Sequence, residues 1–304
     1  MNSLPTSYDP WGVVASVLIA AVASYVTLDL ARRVHRSDRV AATLWWLGGS
    51  LVMGAGIWSM HFVGMLAFSL PITLGYTTGL TVASFCAAVL TSGVALGIAS
   101  LGRLSRGRIV AGALAMGLGI CAMHYMGMAA LDMAPGIVWD AAWVALSAVI
   151  AVVASGVALW LFFWLRGFHG LRGRLYQACA AALMGAAISG MHYAGMAAAS
   201  FPQNAVCLSA DALGGAGLAK AVGSACAVLL LLTLVLSTLD ARAQRRTAKL
   251  SSSLQAANAQ LQSANDELHR RAFSDALTGL PNRLLFEDRL AHALSRHDRA
   301  VESI

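Results

Sequence analysis

The chain has 304 residues, 58% hydrophobic and only 12% charged, with a formal net charge of +7 and a mean hydropathy of +0.69. Soluble globular domains carry about a quarter charged residues, so an ordinary soluble enzyme is excluded and contact with lipid is expected. The positive charge is no argument for nucleic acid as a partner, because the basic residues sit in short loops and a tail without interleaved aromatics.

Seven apolar stretches approach the roughly 20 residues needed to cross a bilayer. They lie near 11–31, 42–66, 78–101, 109–131, 141–165, 176–199 and 217–239. The first has no basic run before it, only Asp9, and so does not read as a signal peptide. Between the stretches, basic residues alternate. The first connection carries Arg32, Arg33, Arg36 and Arg39, the third Arg103, Arg106 and Arg108, and the fifth Arg166, Arg172 and Arg174. Connections two, four and six hold no Lys or Arg, only Asp132, Asp140 and Asp211. The positive-inside rule then puts the N-terminus outside and the C-terminus in the cytoplasm, with the basic loops near anionic headgroups. The expected fold is all-α, a polytopic membrane bundle of seven transmembrane helices.

Helices two, four and six share a thirteen-residue block: MGAGIWSMHFVGM from Met53, MGLGICAMHYMGM from Met116 and MGAAISGMHYAGM from Met184. The blocks begin 63 and 68 residues apart and hold ten of the twelve methionines, nine of them at positions shared by all three, so the membrane part is a threefold repeat of helix pairs plus one helix. Each block pairs a histidine with a methionine four residues later, which a helix places on one face: His61 with Met65, His124 with Met128, His192 with Met196. The glycine seven residues before each histidine (Gly54, Gly117, Gly185) lies on that face and allows close helix approach in lipid. The methionines just before the histidines (Met60, Met123, Met191) are turned about 100° away and line a neighbouring groove or complete the site. One turn beyond the final methionines come Ser69, Asp132 and Ser200; Asp132 is a candidate acceptor for a ligand histidine's N–H. Intramembrane histidine is costly and functional by default, and imidazole with soft thioether suits Cu(I) better than zinc. An open copper site would bind O2, CO or NO. A packing role is the competing reading, since methionine fills gaps in any bundle. The five cysteines are scattered and make no disulfide or zinc framework; Cys207 stands alone in an outer loop, and Cys121 lies three residues before His124.

Beyond the seventh helix the sequence turns polar. Residues 240–272 lack Gly and Pro and carry Leu254, Leu261 and Leu268 on one seam and Leu250, Ala257 and Ala264 on another, a short parallel coiled coil with 247–271 as a homodimer interface. From Phe273 a Gly-Leu-Pro-Asn turn separates two helical stretches, too short to hold a core of their own.

The Met-His-Tyr motifs at 123–125 and 191–193 and the variant Met-His-Phe at 60–62 resemble the MHYT integral-membrane sensor domain of bacteria, over about residues 8–203. Where that family has Thr or another small residue after the aromatic, this chain has Val63, Met126 and Ala194. The resemblance implies copper held through Met60, His61, Met65, Met123, His124, Met128, Met191, His192 and Met196, and sensing of a diatomic gas or a redox change. The segment from Asp275 through Asn282 and Arg283 is similar to the opening of the GGDEF diguanylate cyclase domain, in which the residue matching Asn282 helps recognise guanine. That resemblance covers about thirty residues, without the Gly-Gly-Asp/Glu-Glu-Phe hairpin, so the chain as given is expected to have no catalytic residues and not to be a cyclase; a complete version would be one. The organisation expected is therefore a sensor domain at 8–203, a seventh transmembrane helix at 204–240, a coiled-coil linker at 241–272 and an N-terminal GGDEF fragment at 273–304. The functional expectation is a bacterial inner-membrane sensor signalling to a cyclic-di-GMP output domain. A copper-handling or transport protein is the alternative, although its polar residues would cross the whole bilayer. A retinal protein would need a mid-helix lysine, and Lys220 lies at the start of helix seven.

Overall fold

A computed structural model describes residues 3–36, 39–100, 105–165, 167–168, 170–275, 278–280 and 282–301. In chain order its elements are β1 (Ser7–Tyr8), α1 (Pro10–Arg36), α2 (Arg39–Ala67), β2 (Phe68–Ser69), β3 (Gly75–Tyr76), α3 (Thr78–Ser100) and α4 (Arg106–Ala129). Then follow β4 (Met133–Ala134), β5 (Val138–Trp139), α5 (Ala141–Leu165), α6 (Gly170–Ala197), β6 (Ala199–Ser200), β7 (Val206–Cys207), β8 (Leu213–Gly214), α7 (Gly215–Phe273) and α8 (Arg283–Val301). The chain divides into two compact units, Met1–Leu234 and Val235–Ile304.

In the first unit each helix from α1 to α6 packs on the next, and α6 packs back on α1, closing a six-membered ring in sequence order. Across the ring α2, α4 and α6 also touch one another. The odd helices start alike. The carboxylate of Asp9 accepts from the Gly12 amide at 2.8 Å, and that of Asp140 accepts from the Ala142 amide at 2.8 Å, N-caps that satisfy free helix-end donors. Thr77 stands at the equivalent position before α3. The amides of Asp9, Thr77 and Asp140 in turn donate to the carbonyls of Ala67, Ala130 and Ala198 at 2.8, 2.8 and 2.9 Å, tying each odd helix to the end of the even helix that follows it. The glycines on the even helices do what their small size allows. A Cβ on Gly54, Gly117 or Gly185 would meet the backbone of Val89, Val152 or Ala21 at 2.7–2.9 Å, so the repeat fixes three equivalent close crossings.

Among the described residues, five helices are long and apolar enough to cross a membrane: Pro10–Ala31, Ala42–Ala67, Thr78–Ala99, Arg106–Ala129 and Ala141–Leu165. Their outward faces carry large apolar side chains, among them Leu118, Val149, Val153 and Trp160. So wide an apolar surface is untenable in water, and the unit is an integral membrane bundle. α6 is of similar length but rich in Gly and Ala. The seventh apolar stretch is the beginning of α7, where Leu218, Val222 and Leu229 are buried.

The connections after α2, α4 and α6 are more ordered than an all-α fold anticipates. Four antiparallel two-stranded ladders form, β1 with β2, β3 with β8, β4 with β7 and β5 with β6. Strands of two residues leave no alternation for a sequence to display. Cys207, expected to stand alone, pairs opposite Met133, and its thiol donates to the Leu131 carbonyl at 2.9 Å. Beside it the buried Ser209 hydroxyl lies 2.8 Å from the Gly75 carbonyl and 3.1 Å from that of Leu131.

The segments read as a seventh transmembrane helix and a coiled coil belong to one helix, α7, which ends at Phe273. Leu250, Leu254, Leu261 and Leu268 are each more than 60% exposed on it. After it, the Asp275 carboxylate accepts from the Thr278 amide and hydroxyl, both at 3.0 Å, and Gly279 takes a left-handed φ of 71° that favours glycine. Asn282 then caps α8: its side-chain oxygen accepts from the Leu285 amide at 3.0 Å and its amide donates to the Ala272 carbonyl at 2.7 Å.

Candidate metal centre

His61, His124 and His192 meet on the ring's interior, five or six residues before the ends of α2, α4 and α6. Their Nδ1 atoms form a triangle with edges of 3.0 Å (His61–His192), 3.2 Å (His61–His124) and 3.3 Å (His124–His192). The rings stand nearly perpendicular to one another, at 80–87°, and are at most 1% exposed. Among the described residues this trio is the group of His, Cys, Asp or Glu side chains placed to share one ion.

The opposite edge of each ring is held by glycine. A Cβ on Gly127 would collide with His61 Nε2, one on Gly195 with His124 Nε2 and one on Gly64 with His192 Nε2. The invariant glycine three residues after each histidine is thus a socket for the imidazole of another repeat, in the cyclic order α2 to α4, α4 to α6 and α6 to α2. All three Nε2 atoms are buried without a hydrogen-bond partner.

That geometry tests a metal directly. Three ring nitrogens aimed at one point cannot satisfy one another: any proton placed between two leaves the third facing a lone pair or a second proton, and each buried unpaired group costs about 1–3 kcal/mol. An ion at the centre satisfies all three. Nitrogens about 2.0–2.1 Å from a tetrahedral ion lie about 3.3 Å apart, close to the triangle's edges. The histidines fit. The hydrogen bond that usually orients a ligand histidine through its other nitrogen is replaced here by steric seating on glycine.

The expectation for Asp132 is corrected on this point. It is exposed, it turns the chain at the end of α4 with φ 45°, and its carbonyl accepts from the Leu208 amide at 2.9 Å, while no histidine Nε2 has a partner. Cys121, on the histidine's helix, is not in the cluster. The motif methionines Met60, Met65, Met123, Met128, Met191 and Met196 are all 3% exposed or less, and four of them (Met65, Met123, Met128, Met196) lie in the main apolar core.

The aromatic after each histidine does separate work, which sequence reasoning missed. Tyr125 bonds through its hydroxyl to Ser147 at 2.7 Å and Tyr193 to Ser16 at 2.8 Å, joining α4 to α5 and α6 to α1. In the first repeat Phe62 has no hydroxyl, and the equivalent Ser84 accepts instead from the Trp58 indole at 3.1 Å. Each serine lies seven residues beyond the first-turn cap of its helix (Asp9, Thr77, Asp140). Aligning the odd helices on those caps would have found them.

A family model described as "MHYT: Bacterial signalling protein N terminal repeat" matches residues 1–44, 54–112 and 117–174. The bifunctional diguanylate cyclase/cyclic di-GMP phosphodiesterase MucR of Pseudomonas aeruginosa is 48% identical over 295 residues, 96% of this chain and 42% of that protein. The signaling protein YkoW of Bacillus subtilis is 38% identical over 196 residues, 64% of this chain and 24% of its own length. The cyclic di-GMP phosphodiesterase NbdA of P. aeruginosa is 34% identical over 287 residues, 93% and 36% respectively. The chain therefore spans less than half the length of each of these relatives. No solved structure matches.

Proposed function

Because the chain belongs to the MHYT family of bacterial signalling repeat proteins, and is a membrane signalling protein related to proteins that make and break cyclic di-GMP, we propose that it is a metal-dependent sensor whose histidine triangle holds one copper ion. The observation that carries the reading is the convergence of three Nδ1 atoms within 3.0–3.3 Å in a fully buried site. Three histidines alone suit zinc as well as copper. Two features favour Cu(I). Six buried motif methionines lie on the same helices, and Met65, Met128 and Met196 share a helical face with the histidines, so thioether ligation of a soft ion is open to them. No carboxylate joins the cluster, and the cost of burying an ion grows with the square of its charge, so a monovalent ion is favoured over a divalent one.

A three-nitrogen site leaves a coordination position for a diatomic gas, or for a change of metal oxidation state, as the stimulus. The protein crosses the bacterial inner membrane seven times, counting α6 and the start of α7, with its N-terminus and the small ladders outside and its C-terminus in the cytoplasm. Ten arginines in three alternating connections support that orientation. α7 carries the signal onward, and its exposed leucine stripe supports pairing with a second copy over 247–271. Residues 273–304 are read as the opening of a GGDEF domain, in which Asn282 would help hold a guanine; in the described residues its side chain caps α8. Transport of copper is the second reading, but the histidines form one enclosed cluster and not a ladder across the bundle.

Carbon monoxide is the test. Added to protein loaded with Cu(I), it should give an infrared carbonyl band that is absent from His61→Leu loaded in parallel. If wild-type protein with stoichiometric copper gives no band, gas binding at this site is wrong.

A further inference from the structure

Two helical turns from the histidines, toward the N-terminal ends of α2, α4 and α6, the bundle contains a second, partly open feature that the motif chemistry does not use. It is a cavity of about 30 Å³ lined by residues of α1 to α6. The three methionines that open the repeated blocks, Met53, Met116 and Met184, all face it, and so do the equivalent small residues Thr27, Ala95 and Ala158 of the odd helices. Each methionine precedes its histidine by eight residues, about 12 Å along a helix.

We propose that this cavity is a docking site for one apolar diatomic molecule. Its lining is apolar but for Thr27, whose hydroxyl is already donated to the Ala23 carbonyl at 2.7 Å. A water molecule needs two to four polar partners and would find none, and apolar cavities of this kind stay dry and take up xenon or other apolar guests. Size narrows the guest further. One water-sized particle needs about 10–15 Å³ on the same measure, so the cavity admits something about twice that, which suits a diatomic and excludes an aromatic ring or an acyl chain. Three polarizable thioethers give such a guest strong dispersion contacts.

Access points the same way. Beyond the histidines the outer end of the bundle is closed by Phe62, Phe68, Leu131 and Phe201, each 4% exposed or less. The lining itself offers a lipid-dissolved gas no polar barrier but the Thr27 hydroxyl. The site is therefore a waiting position one helix segment away from the histidine centre. Its link to sensing rests on the proposed function; its occupancy needs no metal.

The experiment uses metal-free full-length chain in nanodiscs, labelled at the methionine methyl carbons and titrated with xenon. The methyl signals of Met53, Met116 and Met184 should shift and saturate together, whereas Met133, in the outer ladders, should show only the small linear drift that lipid-dissolved xenon produces. Ala158→Leu should fill the space and weaken the saturable response at all three signals by tenfold or more; Met116→Ala, which enlarges it, should strengthen the response at Met53 and Met184. Wild-type shifts that never saturate, or that are equal at Met133, overturn the proposal whether or not either variant folds. A chain that takes up copper yet shows no saturable xenon shift keeps the histidine reading and overturns the cavity. Saturable xenon binding in a chain that takes up no copper supports the cavity and overturns the metal.

Discussion

At the scale of single residues, the histidine triangle is shaped by what is missing around it. Gly64, Gly127 and Gly195 each leave the space of one methyl group, and an imidazole nitrogen from another repeat fills it. Restoring that methyl should push the ring off the shared centre. We therefore expect Gly127→Ala to weaken metal binding by at least tenfold and to cost about 1–3 kcal/mol of stability, the usual range for overpacking a filled interior. Gly190→Ala, where an added Cβ meets nothing within 4 Å, should change neither. Competition titration with a Cu(I) chelator and thermal denaturation would read both quantities; wild-type affinity in Gly127→Ala would mean that the rings are positioned by something other than the glycines.

Between elements, hydroxyl pairs help hold the ring of helices. The half-buried hydroxyl pairs Tyr125–Ser147 and Tyr193–Ser16 cross between helices, and a net contribution of about 1 kcal/mol each is expected. Tyr193→Phe should lower stability by that amount, and Phe62→Tyr should yield no gain, because the Trp58 indole already occupies Ser84. Outside the membrane, burial and the neighbouring Tyr193 push the Tyr8 phenol from its ordinary 10.0 up to about 12, and burial, with Cys207 beside it, raises that of Tyr76 as well. A phenol whose folded value is raised stabilises the neutral, folded form below its unfolded value, and that stabilisation is lost as pH climbs toward the folded one. The outer ladders should therefore be unaffected up to about pH 10 and loosen between there and about 12, seen as increased proteolysis in the β1 and β3 region. Tyr8→Phe should remove part of that alkaline loss.

For the whole molecule, orientation and output are the claims to check. Alkaline phosphatase fused after Pro135 should be active and the same fusion after Arg172 silent; the reverse would move the histidines to the cytoplasmic side. The purified chain should make no cyclic diguanylate from GTP with Mg²⁺, and detectable product would mean that residues 273–304 have been misjudged. Much of the fold was legible because the bilayer imposes long apolar runs and because a repeated block must occupy equivalent places. The close crossings at Gly54, Gly117 and Gly185 followed from that block alone. The convergence of His61, His124 and His192 was prefigured by their equivalent places in the repeat, but the sockets at Gly64, Gly127 and Gly195 were not, since they depend on which helix faces which across the ring. Asp132 was misplaced because helical periodicity was carried past the end of α4, where the chain turns at a positive φ. The serine partners went unseen because the odd helices were not aligned on their caps, and the two-residue ladders because they leave no periodic trace.

The central claim is that three histidines from three repeats hold one ion. Metal analysis of protein purified under reducing conditions tests it most directly. The account predicts one Cu(I) per chain, bound in preference to Zn²⁺ and absent from a variant carrying His61→Leu, His124→Leu and His192→Leu that still inserts in the membrane, since leucine is more favourable in lipid than histidine. Wild-type protein that takes up no copper, or a triple variant that retains it, would contradict the account and leave the repeat as a packing device.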